Sequence, residues 1–194
     1  MVGRTAAGKS TLTLALMRLI ESERGQILID GINILDVNLQ QVREMITIIP
    51  QEQTLFRGTL RYNIDPQKLA TDAQILDLLQ KAGLTELIMK IKRTQSQSPP
   101  DDEQSVMTDE GANDLAASDS DEKLLNLEIY SDGSNLSSGE KSLICICRAI
   151  LKKNKIILLD EATANIDIVT EQNIQQLIES EFKDCTMITI AHRL

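Results

Sequence analysis

Gly3-Arg4-Thr5-Ala6-Ala7-Gly8-Lys9-Ser10, followed by Thr11, is the stretch on which the reading of this 194-residue chain turns. It fits the pattern Gly, four residues, Gly-Lys-Ser/Thr. Glycines in that pattern permit a tight loop whose backbone amides wrap phosphate oxygens. Lys9 would neutralise phosphate charge, and the Ser10 hydroxyl suits a magnesium ion. A helix starting at Lys9 would add the positive end of its dipole. A plain Gly-containing strand–helix turn is the alternative reading of these residues alone.

A second stretch, Ile156-Ile157-Leu158-Leu159-Asp160-Glu161, has the form of a buried strand that delivers two acids at its carboxyl end. Asp160 there could hold Mg²⁺ through water, and Glu161 could polarise an attacking water. Taken alone, it could equally be a strand meeting solvent. Leu136-Ser137-Ser138-Gly139-Glu140 opens an apolar helical pattern. Ser137 and Glu140 have the spacing of a capping box. The same helix start, with Gly139 permitting close approach, also suits an anion. Gln51 and His192, the only histidine, each follow a β-like run.

Outside these motifs, short β-like runs alternate with helical stretches, which argues for a largely parallel α/β core. Helices are expected at Lys9–Ile20, Leu39–Met45 behind an Asn38 cap, Asp72–Ala82, Thr85–Ile91, Ser138–Lys152 and Thr170–Glu181. Strands are expected at Ile46–Ile49, Ile156–Leu159 and Met187–Ile190. Asp30-Gly31 between Gln26–Ile29 and Ile32–Ile34 is a hairpin signal.

The net charge is −9, yet nine acids and no Lys or Arg lie between Thr94 and Glu122. Without that segment the remaining acids equal the 20 Lys and Arg, so no strongly basic face for nucleic acid is expected. Residues from about 93 to 128 are rich in Ser, Gln, Asp and Pro, and are expected to form a disordered acidic insertion. The aromatic residues are Phe56, Tyr62, Tyr130 and Phe182. That is too few for a single-strand nucleic-acid stacking platform. The three cysteines, Cys145, Cys147 and Cys185, have no zinc or disulfide spacing, and no apolar run reaches the ~20 residues of a membrane helix.

In the order they occur, these marks resemble the nucleotide-binding domain of ABC transporters. The phosphate loop, Gln51, the Leu136–Glu140 signature, Asp160-Glu161 and His192 carry the likeness, with Asn165-Ile166-Asp167 as a D-loop. Ile48-Ile49-Pro50-Gln51, Thr54–Arg61 and Asn63-Ile64-Asp65-Pro66 make it most similar to the C subfamily, the multidrug-resistance-associated type. Glu161 after Asp160 matches the second, hydrolytic domain of those transporters.

The resemblance implies a P-loop NTPase (RecA-like) core with a mainly parallel sheet, at residues 1–52 and 141–194. It implies an α-helical signature subdomain at 53–140. It implies ATP and Mg²⁺ as ligands, with Gly3, Arg4, Thr5, Ala6, Ala7, Gly8, Lys9, Ser10 and Thr11 around the phosphates. Ser137 and Gly139 would reach the γ-phosphate held by a second such domain in a head-to-tail dimer. Ser10, Gln51 and Asp160 would serve the metal, and Glu161, His192 and Gln51 the hydrolysis. The other implied partners are the transmembrane domains of a transporter, at the cytoplasmic face of a membrane, with no nucleic acid.

Two departures from the family pattern bear on these expectations. Ala6 stands where the family commonly has Gly. The phosphate loop also begins at the third residue, and the chain stops two residues after His192, so the expectation is a fragment truncated at both ends and a poor ATPase in isolation. The alternatives are a soluble ABC ATPase without a membrane domain, or a non-catalytic fragment that binds nucleotide weakly.

Overall fold

The computed structural model describes residues 8–84, 122–160 and 166–190. The chain divides into two compact units, Met1–Gln53 with Arg148–Leu194, and Thr54–Cys147. These boundaries, at 53/54 and 147/148, lie one and seven residues beyond the expected 52/53 and 140/141.

In the first unit, α1 spans Lys9–Leu16 and is followed by a hairpin of β1 (Leu28–Ile29) and β2 (Ile32–Asn33). Asp30 and Gly31 at its turn both have positive φ, 50° and 80°. That is the type I′ geometry that an Asp-Gly pair favours. Next comes α2 (Leu39–Met45), whose first turn is capped by Asn38: its side chain accepts from the Gln40 amide at 2.8 Å. The helix runs straight into β3 (Ile46–Ile49).

A parallel sheet in the order β3–β6–β7 is completed by β6 (Ile156–Asp160) and β7 (Thr186–Ile190). Ile46 pairs with Ile156 and Ile49 with Leu159, while Ile156 pairs with Thr186 and Asp160 with Ile190. Central strands of parallel sheets read as unbroken apolar runs because both faces are covered, and Ile157 and Leu158 are buried accordingly. Ile34, Val42, Ile46 and Leu158 form a core cluster, with Leu16 and Met17 from the end of α1 packed against it. Between β6 and β7 lies α6 (Ile168–Glu181), its inner face made of Ile174, Leu177 and Ile178.

α1 is shorter than its apolar pattern predicts. It closes with the Arg18 amide donating to Ala15 O (3.0 Å) and the Leu19 amide to Leu14 O (2.8 Å), with Arg18 at φ 49°. These are the two bonds of a Schellman ending, which stops the helix before Arg18.

The second unit contains β4 (Gly58–Thr59), α3 (Leu60–Ile64), α4 (Asp72–Lys81) and β5 (Glu128–Ile129), with β4 and β5 antiparallel. Thr71, not Asp72, caps α4, through a reciprocal box with Gln74. The long α5 (Ser138–Leu151) begins in this unit and ends in the first. The expected insertion extends too far: residues 122–125 are helical, Leu124 and Leu125 are buried, and Glu128 lies in β5. Those leucines supply buried large apolar side chains, a residue type in which the acidic stretch before them is poor. The helix expected at Thr85–Ile91 and the rest of the insertion to residue 121 lie outside the described residues.

Buried polar side chains hold the second unit's loops. Asn63, fully buried, accepts from the Phe56 amide (2.8 Å) and donates to Phe56 O (2.8 Å) and Thr59 O (3.1 Å). Asp65 accepts from the Leu69 and Ala70 amides, both at 2.9 Å. Asn63→Leu keeps volume but orphans these backbone groups. At about 1–3 kcal/mol for each unsatisfied buried group, it should lower the denaturant midpoint clearly, read by urea titration.

In the first unit, Asp167 caps α6, accepting from the Thr170 amide at 3.0 Å. That backbone bond holds its carboxyl below the ordinary value of 3.8. A depressed acid stabilises the fold above its unfolded value and loses that contribution as pH falls through the folded one. Asp167→Asn, which keeps an acceptor, should therefore flatten the acid limb of α6 unfolding below about pH 4, followed by circular dichroism and amide exchange.

Candidate functional site

The phosphate-loop residues Gly3, Arg4, Thr5, Ala6 and Ala7 lie outside the described residues; the structure begins at the loop's last glycine. Gly8 caps α1 in the left-handed region, at φ 82° and ψ 12°. A side chain there would meet no atom of the described residues within 4 Å, and the left-handed backbone is what asks for glycine. The Leu12 amide closes the first turn on Gly8 O at 3.2 Å.

Lys9 and Ser10 follow as the first two residues of α1. The Lys9 side chain is only 4% exposed. Thr11, in the same turn, is exposed. Among the described residues, the first turn of α1 carries no acidic residue, and its N-cap, Gly8, has no side chain to close it. The amides and dipole at this end therefore keep their capacity for an anion.

The sheet gathers a second group. Parallel pairing puts the carboxyl ends of β3, β6 and β7 along one edge. Asp160 is the last residue of β6, half-buried, and lies beside Ile190 in register. Gln51 follows β3 by two residues with an exposed side chain, its carbonyl accepting from Gln53 Nε2 at 3.0 Å. Gln51 and Asp160 thus share one edge of the sheet. Glu161 and His192 lie outside the described residues.

The signature belongs to the second unit. Ser137 Oγ accepts from the Glu140 amide at 3.3 Å, and Glu140 accepts from the Ser137 amide at 2.6 Å. This is the reciprocal capping box that the spacing predicts. Ser137 and Ser138 are exposed at the helix start, whereas Gly139 is buried. The segment before it is pinned by Asn135, which donates to Glu128 O (2.8 Å) and accepts from the Tyr130 amide (3.1 Å).

The sequence alone assigns no framework role to Asn63, Asn135, Arg18 or Asp167, although Asn63 and Asp167 lie in stretches that carry the family likeness. Asp167 had a legible signal, an Asp three residues before Thr170 at the head of an apolar helical pattern. The other three act through side-chain bonds to backbone between 4 and 19 positions away, which no single spacing marks.

The donors offered to a metal fit Mg²⁺, which prefers carboxylate, hydroxyl and amide oxygens and keeps phosphate and water among its ligands. Asp160 at a strand end and the exposed Gln51 amide are of that kind. Among the described residues no three His, Cys, Asp or Glu stand together as a metal group, and a phosphate-borne magnesium needs no such cage.

Residues 1–164 match the family model described as ABC transporter. The chain is 45% identical over 198 residues to the ATP-dependent bile acid permease of Saccharomyces cerevisiae, covering 100% of this chain and 11% of that protein. It is 42% identical over 194 residues to ABC transporter C family member 13 of Oryza sativa subsp. indica, with the same coverage. A bacterial Atm1-family ABC exporter solved with ATP bound superposes with a TM-score of 0.75 at 30% identity, over 99% of this chain and 28% of that one. The chain therefore spans about a ninth of the length of the curated relatives. With a parallel sheet bringing Asp160 to its carboxyl edge and a matching family model over most of its length, the chain belongs to the ABC transporter family.

Proposed function

We propose that this chain binds ATP with Mg²⁺ and hydrolyses it to power transmembrane transport, as one of two nucleotide-binding domains of a C-type ABC transporter. The observation that carries the reading is the edge of the β3–β6–β7 sheet, where Gln51 and Asp160 emerge together from adjacent parallel strands. The open first turn of α1, led by Gly8 and Lys9, supports it.

In this reading the loop Gly3–Gly8 and the first-turn amides of α1 hold the β- and γ-phosphates, and Lys9 offsets their charge. Ser10, Asp160 and Gln51 would hold Mg²⁺, which would supply charge neutralisation. Glu161 orients and polarises the attacking water, and His192 holds the γ-phosphate. Phosphoryl transfer asks mainly for positioning and charge stabilisation, which such a set provides.

The start of α5 serves a second nucleotide. Ser137 and Gly139 contact the γ-phosphate held by a partner domain arranged head to tail. Gln51 passes the state of the site to the membrane domains at the cytoplasmic face. Among the described residues, no helix is long and apolar enough to cross a membrane. An intact Glu161 favours the hydrolytic, second domain of the transporter.

Lys9→Ala should remove most ATP affinity, measured by calorimetric titration. Glu161→Gln should keep that affinity and slow phosphate release by about 10²-fold or more, the usual share of a general base. Equal hydrolysis rates for wild type and Glu161→Gln would overturn the role given to Glu161.

A further inference from the structure

We propose that Arg18 is a positioning residue for the phosphate-binding end of α1, acting from the opposite end of the helix. The inference rests on the nucleotide reading above and names what holds that site in place.

α1 is eight residues long and is poorly anchored by apolar burial. Among its described side chains only that of Lys9 is buried, and Leu14 is 39% exposed. Leu16 and Met17 touch the core only in part. A short helix held this way can pivot, and its N-terminus would swing furthest.

Polar bonds at the C-terminal end supply the missing anchor. Arg18 Nη1 donates to Ile34 O at 3.1 Å and to Val37 O at 2.8 Å, on the segment leading from the hairpin to α2. Its Nη2 donates to Glu21 at 3.2 Å. Arg43 of α2 donates through Nε to Met17 O at 3.2 Å, satisfying a carbonyl at the end of α1. The clamp thus ties α1 to both the hairpin segment and α2.

Two details show that the side chain, not the backbone, explains an arginine here. Arg18 occupies the left-handed position of the Schellman ending, where glycine is the favoured residue. Its side chain is 16% exposed and its Nε is buried without a hydrogen-bond partner. A strained backbone and an incompletely satisfied guanidinium persist where surrounding contacts over-determine them. Here those contacts are the two carbonyls, so the clamp sets the axis along which Lys9 and Thr11 are presented.

Arg18→Gly separates the two roles, because it relieves the backbone while deleting the clamp. Titrations of ATP and inorganic triphosphate into the 194-residue chain should show affinity severalfold weaker for Arg18→Gly than for wild type. Arg18→Lys, whose ammonium can donate to both carbonyls, should recover most of the affinity. A role in stability alone would shift the melting temperature and leave the affinity of the folded protein unchanged, which would overturn the proposal. If Arg18→Gly does not fold, Arg43→Met tests the same clamp through its bond to Met17. Severalfold weaker binding supports the proposal, and wild-type binding overturns it. Wild-type chain that binds no ATP would overturn the nucleotide reading and this inference together. Wild type that binds, Lys9→Ala that does not, and Arg18→Gly equal to wild type would overturn this inference alone.

Discussion

The pairing of β6 between β3 and β7 is the constraint on which the first unit depends. β6 pairs with both neighbours, and its first four residues meet β3 in register from Ile46↔Ile156 to Ile49↔Leu159. A one-residue slip would exchange the faces that Ile157 and Leu158 occupy and shift Asp160 by one position, onto the other face. The buried apolar run and the acid at its end are thus one device: burial fixes register, and register fixes where the carboxylate emerges. Asn154 reinforces the opposite end of the strands, its Nδ2 donating to the buried Thr47 hydroxyl at 2.9 Å.

The second unit is held on different terms. Its short strands give little pairing, so side chains such as Asn63, Asp65 and Asn135 complete the backbone bonding of the loops. Buried polar networks of this kind specify one arrangement when satisfied and are costly when broken. The start of α5 then rests on a prepared loop, with Ser137 and Glu140 closing its first turn.

Much of this was legible in the sequence because the informative patterns are local. Asn38 before Leu39, Asp30-Gly31 in the hairpin and the apolar run Ile156–Leu159 each specify their own geometry within a few residues. The capping box at Ser137 did so as well. The bounds failed where a tertiary or backbone feature overrode the pattern. Arg18 ends α1 despite apolar residues continuing to Ile20, and Asp167 starts α6 before the expected Thr170. Leu124 and Leu125 turn the tail of an acidic stretch into packed structure. Within the candidate site, Gly8, Lys9, Thr11, Gln51, Asp160, Ser137 and Gly139 fall among the described residues. The motifs to which phosphate and metal roles are proposed are readable because such chemistry restricts residue type at fixed spacing. The clamp on α1 was not readable, since Ile34 and Val37 contribute only carbonyls and any residue could supply those.

The separation between β3 and β6 also has a consequence during synthesis. Asn154 and Thr47 are 107 positions apart, and all of the second unit is made between them. A ribosome adding about 5–20 residues per second leaves β3 without its neighbour for roughly 5–20 seconds. Through that interval Ile46, Ile48 and Ile49 form an apolar edge with no sheet to join, while nearly all of the second unit can fold from contiguous chain. The nascent chain is therefore most exposed to chaperone capture, and to wrong pairing with another nascent chain, around residues 46–49. That window closes only when Ile156–Asp160 clears the exit tunnel.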